Sequence, residues 1–440
     1  MRESKIKEKS RLSEKQKSQI AKMYISRRDE YGLSIIYEEQ NLVCKVIESR
    51  KISSEIIGYI VQNQKKYFTE VLFIEEYREF TIIYQPRIEI NAVISEWPDS
   101  SISLAIKKIL NLQSDLTNHG LSLEDLHPWN FMLWKGNIYL VDIFSVLPAR
   151  DTFHWGIAPS YNWGAIDQFW NMYVNLICVR IIEKKIQINL NLQDYYQIST
   201  KLVILLLILQ PKVLIQYLKC LVMKEIVKQT KPQKKGKKKL KKFTYSTLKM
   251  IDKINVKLMK QNSKYKISTD STTKLNLGDR AESKIVILTG YGNSKYLNLD
   301  SLNCKAILVE DRNELNYLDM NFKNKINVFN FNFHSPTPSV GPVNQWSKAA
   351  LVRFKNPDNI FLIDLEDLFI NRKMTFLEIV DTIKNLTTKK AEIYLVGAFK
   401  LESSFMSREE LCLEFIKYFE NVQAVEFKGE IIKMVTKFSV

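Results

Sequence analysis

Cysteine is scarce and dispersed. Cys44, Cys178, Cys220, Cys304 and Cys412 are the five in 440 residues, and no two of them stand as C-x-x-C. That spacing provides neither a zinc-ligand set nor a disulfide framework, and it suits a reducing compartment. A long hydrophobic run is also lacking: the most apolar stretch, 202–209, stops before Pro211. It is far shorter than the roughly 20 residues of a bilayer-crossing helix, so no transmembrane segment is expected. Residues 2–17 are charged and lack the apolar centre of a secretory signal, from which a cytoplasmic protein is expected. Acidic residues are in deficit, 48 against 65 lysines and arginines, but the resulting charge of +17 is concentrated in one segment rather than spread over the chain.

What is present is enough to fold. Hydrophobic residues make up 45% and aromatics 11%, which excludes global disorder, and the length points to two or three domains. The chain reads as a charged helical arm (1–28), a first domain (29–223), a Lys-rich linker (224–283) and a second domain (284–440). The arm favours helix and reads as a solvated one.

The first domain is organised around residues 120–145, GLSLEDLHPWNFMLWKGNIYLVDIFS. Asp125, His127 and Asn130 stand in the spacing D-x-H-x-x-N. Phe131–Trp134 and residues 138–141 are β-rich runs around a Gly-containing turn, which predicts a hairpin, and Asp142 follows it. Upstream, strands are expected at 34–37, 42–48, 70–73 and 79–84. A helical stripe of Ile102, Ala105, Ile106, Ile109 and Leu110 ends at His119-Gly120, with His119 read as a helix cap.

The motif and this order of elements resemble the protein-kinase-like fold in its aminoglycoside-phosphotransferase variant, H-G-D-x-H-x-x-N with an Asp after the hairpin. The resemblance implies that Asp125 accepts the proton of an attacking hydroxyl, while Asn130 and Asp142 hold Mg²⁺ against the phosphates of ATP. Lys45, in Val43-Cys44-Lys45-Val46, looks like the phosphate-contacting lysine of the V-A-I-K strand, with Glu55 on the next helix where its partner belongs. Glu124 stands where the family has Gly, the Gly of D-F-G is absent after Asp142, and no Gly-rich phosphate loop precedes the Lys45 strand.

Beyond the hairpin, 165–182 reads as a long core helix and 190–223 as further buried helices. The segment 224–266 then crowds lysines between Lys231 and Lys242 with a Pro and a Gly. Like charges at that density resist a core, so a linker or solvated helix is expected, able to contact anionic surfaces non-specifically.

From 284 the pattern alternates strand and helix: strands at 285–288, 306–309, 326–329, 360–363 and 393–396, with a helix at 376–386. Gly290 and Gly292 follow the first strand, and Glu310-Asp311 end the second. A glycine turn lets the backbone approach a ligand, and an acid at the next strand end bonds ribose hydroxyls. This half, with His334 to Gly341 and 356–363, resembles class I S-adenosylmethionine-dependent methyltransferases of the nodulation-protein type. Those proteins also carry an upstream stretch like Asp125-Leu126-His127-Pro128-Trp129-Asn130. The resemblance implies an α+β kinase-like N-terminal domain followed by an α/β Rossmann-like methyltransferase domain, a parallel sheet with helices on both faces. It implies S-adenosylmethionine held at Gly290, Gly292, Glu310 and Asp311, and methyl transfer to a small-molecule, glycan or lipid acceptor. Leu288 and Ser294 replace the acid and last Gly of the family's first strand and turn, and Glu366-Asp367 stand where a His-His pair is expected. Two other functions follow from the same residues: a phosphotransferase working through Asp125, Asn130 and Asp142, and a binding or scaffold protein that has lost both activities.

Overall fold

The computed structural model describes residues 12–27, 32–37, 41–88, 92–134, 136–149, 163–186, 198–229, 234–262, 283–288, 304–322, 326–331, 354, 357, 359–363, 374–387, 392–396, 413–415, 417–419 and 431–435. Two sheets organise it. The first consists of β1 (Leu33–Tyr37), β2 (Leu42–Glu48), β3 (Phe73–Tyr77) and β4 (Phe80–Pro86), antiparallel throughout, in the order β1-β2-β4-β3. The inner strands β2 and β4 read LVCKVIE and FTIIYQP, apolar on both faces, as strands covered on both sides must be. One face lies under α1 (Glu14–Arg27), where Ile20, Ala21 and Tyr24 pack with Cys44, Val46, Ile82 and Tyr84. The arm expected as a solvated helix is therefore part of the domain, and Lys17 ties it to Glu75 of β3 at 2.5 Å. The strand expected at 70–73 lies instead at 73–77. The chain reverses there through Arg78 and Glu79, with Arg78 at φ +54°, and no Gly or Asn marks that turn in the sequence.

Ser53 caps α2 (Ser54–Gln62) by accepting from the Ile56 amide at 3.3 Å. The expected stripe of Ile102 to Leu110 is fully buried on α3 (Asp99–Asn118). The helix stops where Gly120 takes φ +70°, a left-handed turn that glycine adopts without strain. His119 Nδ1 lies 2.9 Å from the Asp115 carbonyl at that end, the capping position read from the sequence. Next come β5 (Leu121–Leu123), β6 (Phe131–Trp134), β7 (Asn137–Leu140) and β8 (Val146–Pro148). β6 pairs with β7 as the expected hairpin, closed at Gly136 with φ +68°, and β5 pairs with β8.

A continuous apolar stretch then runs through α4 (Ile166–Phe169), a π-helical turn at Trp170–Val174 and α5 (Asn175–Ile186). Three more helices follow, α6 (Thr200–Leu207), α7 (Pro211–Lys228) and α8 (Lys234–Asn262). The Lys-rich segment expected as a linker or solvated helix is thus helical for most of its length. Leu240, Phe243, Met250, Ile251, Ile254 and Leu258 of α8 are buried in the core with α3, α5 and α7. The reason is spacing: these apolar residues fall on one face of the helix, with buried Thr247 filling the step between Phe243 and Met250, and Lys237, Lys238, Lys241 and Lys242 are exposed. α6 and α7, expected as buried, each leave apolar side chains exposed, Leu205 and Val222 among them.

The second sheet contains β9 (Ser283–Leu288), β10 (Cys304–Val309), β11 (Asn327–Asn330), β12 (Asn359–Ile363), β13 (Glu392–Val396) and β14 (Ile431–Val435), in the order β11-β10-β9-β12-β13-β14. All neighbours are parallel except β13 and β14. The antiparallel edge strand β14 was not expected from the sequence. Among the described residues the longer helices beside these strands are α9 (Arg312–Phe322) and α10 (Phe376–Leu386), the latter started by a capping box between Thr375 and Glu378. The two halves meet where α9 docks on the start of α3. The Asp99 amide donates to Asn316 Oδ1 at 2.9 Å, Asn316 Nδ2 donates to Asp99 Oδ2 at 3.1 Å, and Lys184 pairs with Asp99 at 2.8 Å.

Candidate functional site

Lys45 and Asp142 are 97 residues apart in sequence, and the fold brings their charged groups to 3.5 Å. Lys45 belongs to inner strand β2 and is only 6% exposed. Burying a charge in such a strand is costly unless it is paired. Its ammonium donates to Ser34 Oγ at 2.7 Å as well as to Asp142 Oδ1. Ser34 is the residue directly opposite Lys45 in the β1–β2 register, so the two side chains share a face. Glu55, expected as the partner of Lys45, is exposed on α2 and makes no ion pair with it. The partner is Asp142 instead.

Asp142 follows the β6–β7 hairpin and precedes a 3₁₀ turn, Ile143–Ser145. That turn returns Ser145 to its neighbour. Ser145 Oγ donates to Asp142 Oδ2 at 3.3 Å and accepts from Asn130 Nδ2 at 3.2 Å. Asn130, 6% exposed, is thereby oriented with its amide nitrogen committed to Ser145. The backbone enforces the same proximity, since the Val141 amide donates to the Asn130 carbonyl at 2.8 Å. Phe144 is held from behind. Gly32, at φ +100°, lies so close that a Cβ there would stand 2.4 Å from the Phe144 ring.

Asp125 is at the other end of the loop, with its side chain 40% exposed. Its Oδ1 accepts from the His127 amide at 3.1 Å, a local turn that fixes the carboxylate. Burial pushes the His127 imidazole below its ordinary range, against the raising effect of Asp125. It stacks on Trp129 at 4.3 Å and 11°. Gln168 of α4 holds the loop down: its Oε1 accepts from the Leu126 amide at 2.7 Å, and its Nε2 lies 3.3 Å from His127 Nε2. Glu124, in place of the family's glycine, points inward. Burial raises its carboxyl while the Ser122 hydroxyl and the Gly164 amide pull it back, and Gly164 leaves no room for a Cβ beside it.

The fold therefore gathers Lys45, Asn130 and Asp142 in one connected cluster, with Asp125 on the same loop as Asn130. Ser34, Ser145, Gln168 and Gly32 were not singled out from the sequence. The register of β1 on β2 identifies Ser34, and the three-residue step after Asp142 identifies Ser145.

In the second half, Glu310 is half-buried at the end of β10. Asp311 is buried and serves the helix behind it: its Oδ1 accepts from the Asn313 amide at 3.0 Å and its carbonyl from the Leu315 amide at 2.8 Å. Gly290, Gly292 and Glu366-Asp367 lie outside the described residues, as do His334 to Gly341.

No protein-family model matches the chain, and no curated protein does. Among solved structures it is similar to a divergent kinase lacking the glycine-rich loop, one that regulates membrane ultrastructure of the Toxoplasma parasitophorous vacuole. That similarity has 15% identity and a TM-score of 0.21, over 29% of this chain and 61% of that one. The chain thus spans less than two thirds of that structure's length.

Proposed function

We propose that the first half binds a nucleoside triphosphate and transfers its terminal phosphoryl group to a hydroxyl acceptor, in the manner of the kinase-like family it resembles. The observation that carries this reading is the 3.5 Å approach of buried Lys45 to Asp142, with Asn130 joined to the same carboxylate through Ser145. A buried lysine beside a half-exposed carboxylate is a poor device for stability alone, because desolvation offsets most of the attraction. It is a good device for gripping phosphate oxygens and a divalent cation together.

The residues fit Mg²⁺. No group of three or more His, Cys, Asp or Glu side chains suited to a metal occurs among the described residues. Mg²⁺ is usually held by one or two carboxylates with the remaining positions filled by phosphates and water, and the Asp142 carboxylate with the side-chain oxygen (Oδ1) of Asn130 would supply such a set. When bound, the cation neutralises charge on the phosphate oxygens. Lys45 orients the phosphates, and Asp125 receives the proton of the acceptor hydroxyl. The acceptor oxygen bonds to the γ-phosphorus as the bond from that phosphorus to the bridging oxygen breaks. Residues 38–41, between β1 and β2 in the chain, contain no glycine, so the sequence offers no Gly-rich phosphate loop there and the affinity is expected to be modest. The test is release of ADP from ATP with Mg²⁺. Asp125→Asn is expected to abolish it while leaving ATP binding intact; equal turnover by that variant would contradict the role of Asp125.

A second reading concerns the other half: S-adenosylmethionine-dependent methyl transfer. Its support is the sheet order, which reverses at β9, where ligands of open α/β sheets bind outside the strands' carboxyl ends. Gly290 and Gly292 follow β9 in the chain, and Glu310 follows its neighbour β10. Because Asp311 caps α9, Glu310 is the better candidate for ribose hydroxyls. Calorimetric titration with S-adenosylmethionine tests it: binding lost in Glu310→Ala but kept in Lys45→Met supports a separate donor site, and no heat in the intact protein rejects it.

A further inference from the structure

α7 carries apolar residues on two opposite faces. Val213, Tyr217, Cys220 and Val227 face the core, and yet Ile215, Leu218 and Val222 recur at i, i+3 and i+7 on the opposite side, with Ile215 55% and Val222 61% exposed. A surface helix ordinarily keeps its apolar residues to the face that meets the core, so the second stripe calls for an account. Leu205 of α6, and Ile208 and Leu209 of the turn that leads into α7, are exposed as well. Scattered surface leucines need no explanation, but six exposed large apolar side chains within 18 residues of chain, three of them in register on one helix face, mark a docking face.

Lysines border it. Lys212 and Lys219 are exposed three residues before and four after Ile215. Across a groove of roughly 850 Å³ between α7 and α8 stand Lys249, Lys253 and Lys257, with Tyr245 and Val256 among them. Asp252 also lines this groove and pairs with Lys107 at 2.7 Å, and Glu225 pairs with Lys224 at 3.0 Å, so lysines outnumber acids on this face. Burial and the neighbouring Lys212 and Lys185 push the Lys257 ammonium below its ordinary range, a crowding of cations that an anion relieves. Protein–protein interfaces deplete lysine around their apolar centres, whereas helices lying on anionic membranes combine an apolar stripe with a lysine border.

We propose that the face formed by α6, α7 and α8 docks on an anionic phospholipid bilayer, with Leu205, Ile215, Leu218 and Val222 entering the headgroup region and the lysines of α7 and α8 meeting lipid phosphates. No helix among the described residues is long and apolar enough to cross a membrane, so the contact is peripheral. The opposite side of α7 holds Asp167 through Lys224 and Lys228, next to Gln168 and the loop of Asp125. Docking therefore anchors the helix that supports that loop.

The test is flotation of the full chain with vesicles of phosphatidylglycerol and, separately, of phosphatidylcholine. Binding to the anionic vesicles only is expected, weakening as salt rises. Ile215→Ser combined with Val222→Ser, and Lys212→Glu combined with Lys253→Glu, are each expected to weaken it at least tenfold. Because either pair can impair folding, Leu205→Cys carrying a polarity-sensitive fluorophore gives an independent readout, a blue shift with anionic vesicles alone. Equal binding to both vesicle types, no binding to either, or binding indifferent to the apolar pair overturns the proposal. So does a concentration-dependent dimer that buries the label without lipid.

Discussion

Lys45 shows how much one residue's neighbours decide. In sequence it is a lysine in a strand, and only the fold gives it Ser34 at 2.7 Å and Asp142 at 3.5 Å. Replacement by Met is expected to weaken binding of ATP with Mg²⁺ at least tenfold, read by calorimetry. Arg is not a substitute, because its planar fork does not fit a site shaped for a compact ammonium. Gly32 makes a second prediction. Gly32→Ala combines a strained φ with a Cβ that clashes with the edge of the Phe144 ring, so thermal unfolding is expected to show a loss of about 1–3 kcal/mol. The V-C-K-V strand and the Asp after the hairpin were legible because each is a short local pattern. Glu55 was misassigned because helix position alone does not say which face meets the sheet. Ser34 and Ser145 escaped notice because hydroxyls carry no periodic signal.

Among the elements, α8 departs furthest from its sequence impression. Lysine density argued against a core, yet Phe243 is fully buried and stands within ring-contact distance of Trp163 and Trp170. Phe243→Ala is expected to cost about 3–5 kcal/mol in urea denaturation, while Lys238→Ser with Lys241→Ser stays within about 0.5 kcal/mol per site. The strands of the second sheet were legible nearly to the residue, since buried parallel strands read as short β-branched runs. β14 was not: its sequence, IIKMV, is too short to assign by pattern, and only pairing with β13 defines it.

For the whole molecule, the contact between the halves rests on buried charge. Burial alone raises the Asp99 carboxyl, but Lys184, Arg180 and Arg312 outweigh it and hold the carboxyl below its ordinary range. The unfolded chain then binds the extra proton first, so the stability from Asp99 is present above about pH 4 and lost as pH falls through and below that range. Asp99→Asn is expected to lower stability at neutral pH and to flatten that acid limb, measured by urea denaturation across a pH series. This latch was invisible in the sequence because Asp99 and Asn316 are 217 residues apart.

The central claim is that Lys45, Asn130 and Asp142 form one phosphate-binding cluster. Calorimetric titration of the full chain with ATP and Mg²⁺, beside Asp142→Ala, tests it most directly. The account predicts saturable binding in the parent protein, dependent on Mg²⁺ and lost in the variant. Binding that survives Asp142→Ala unchanged, or none in the parent, would contradict it.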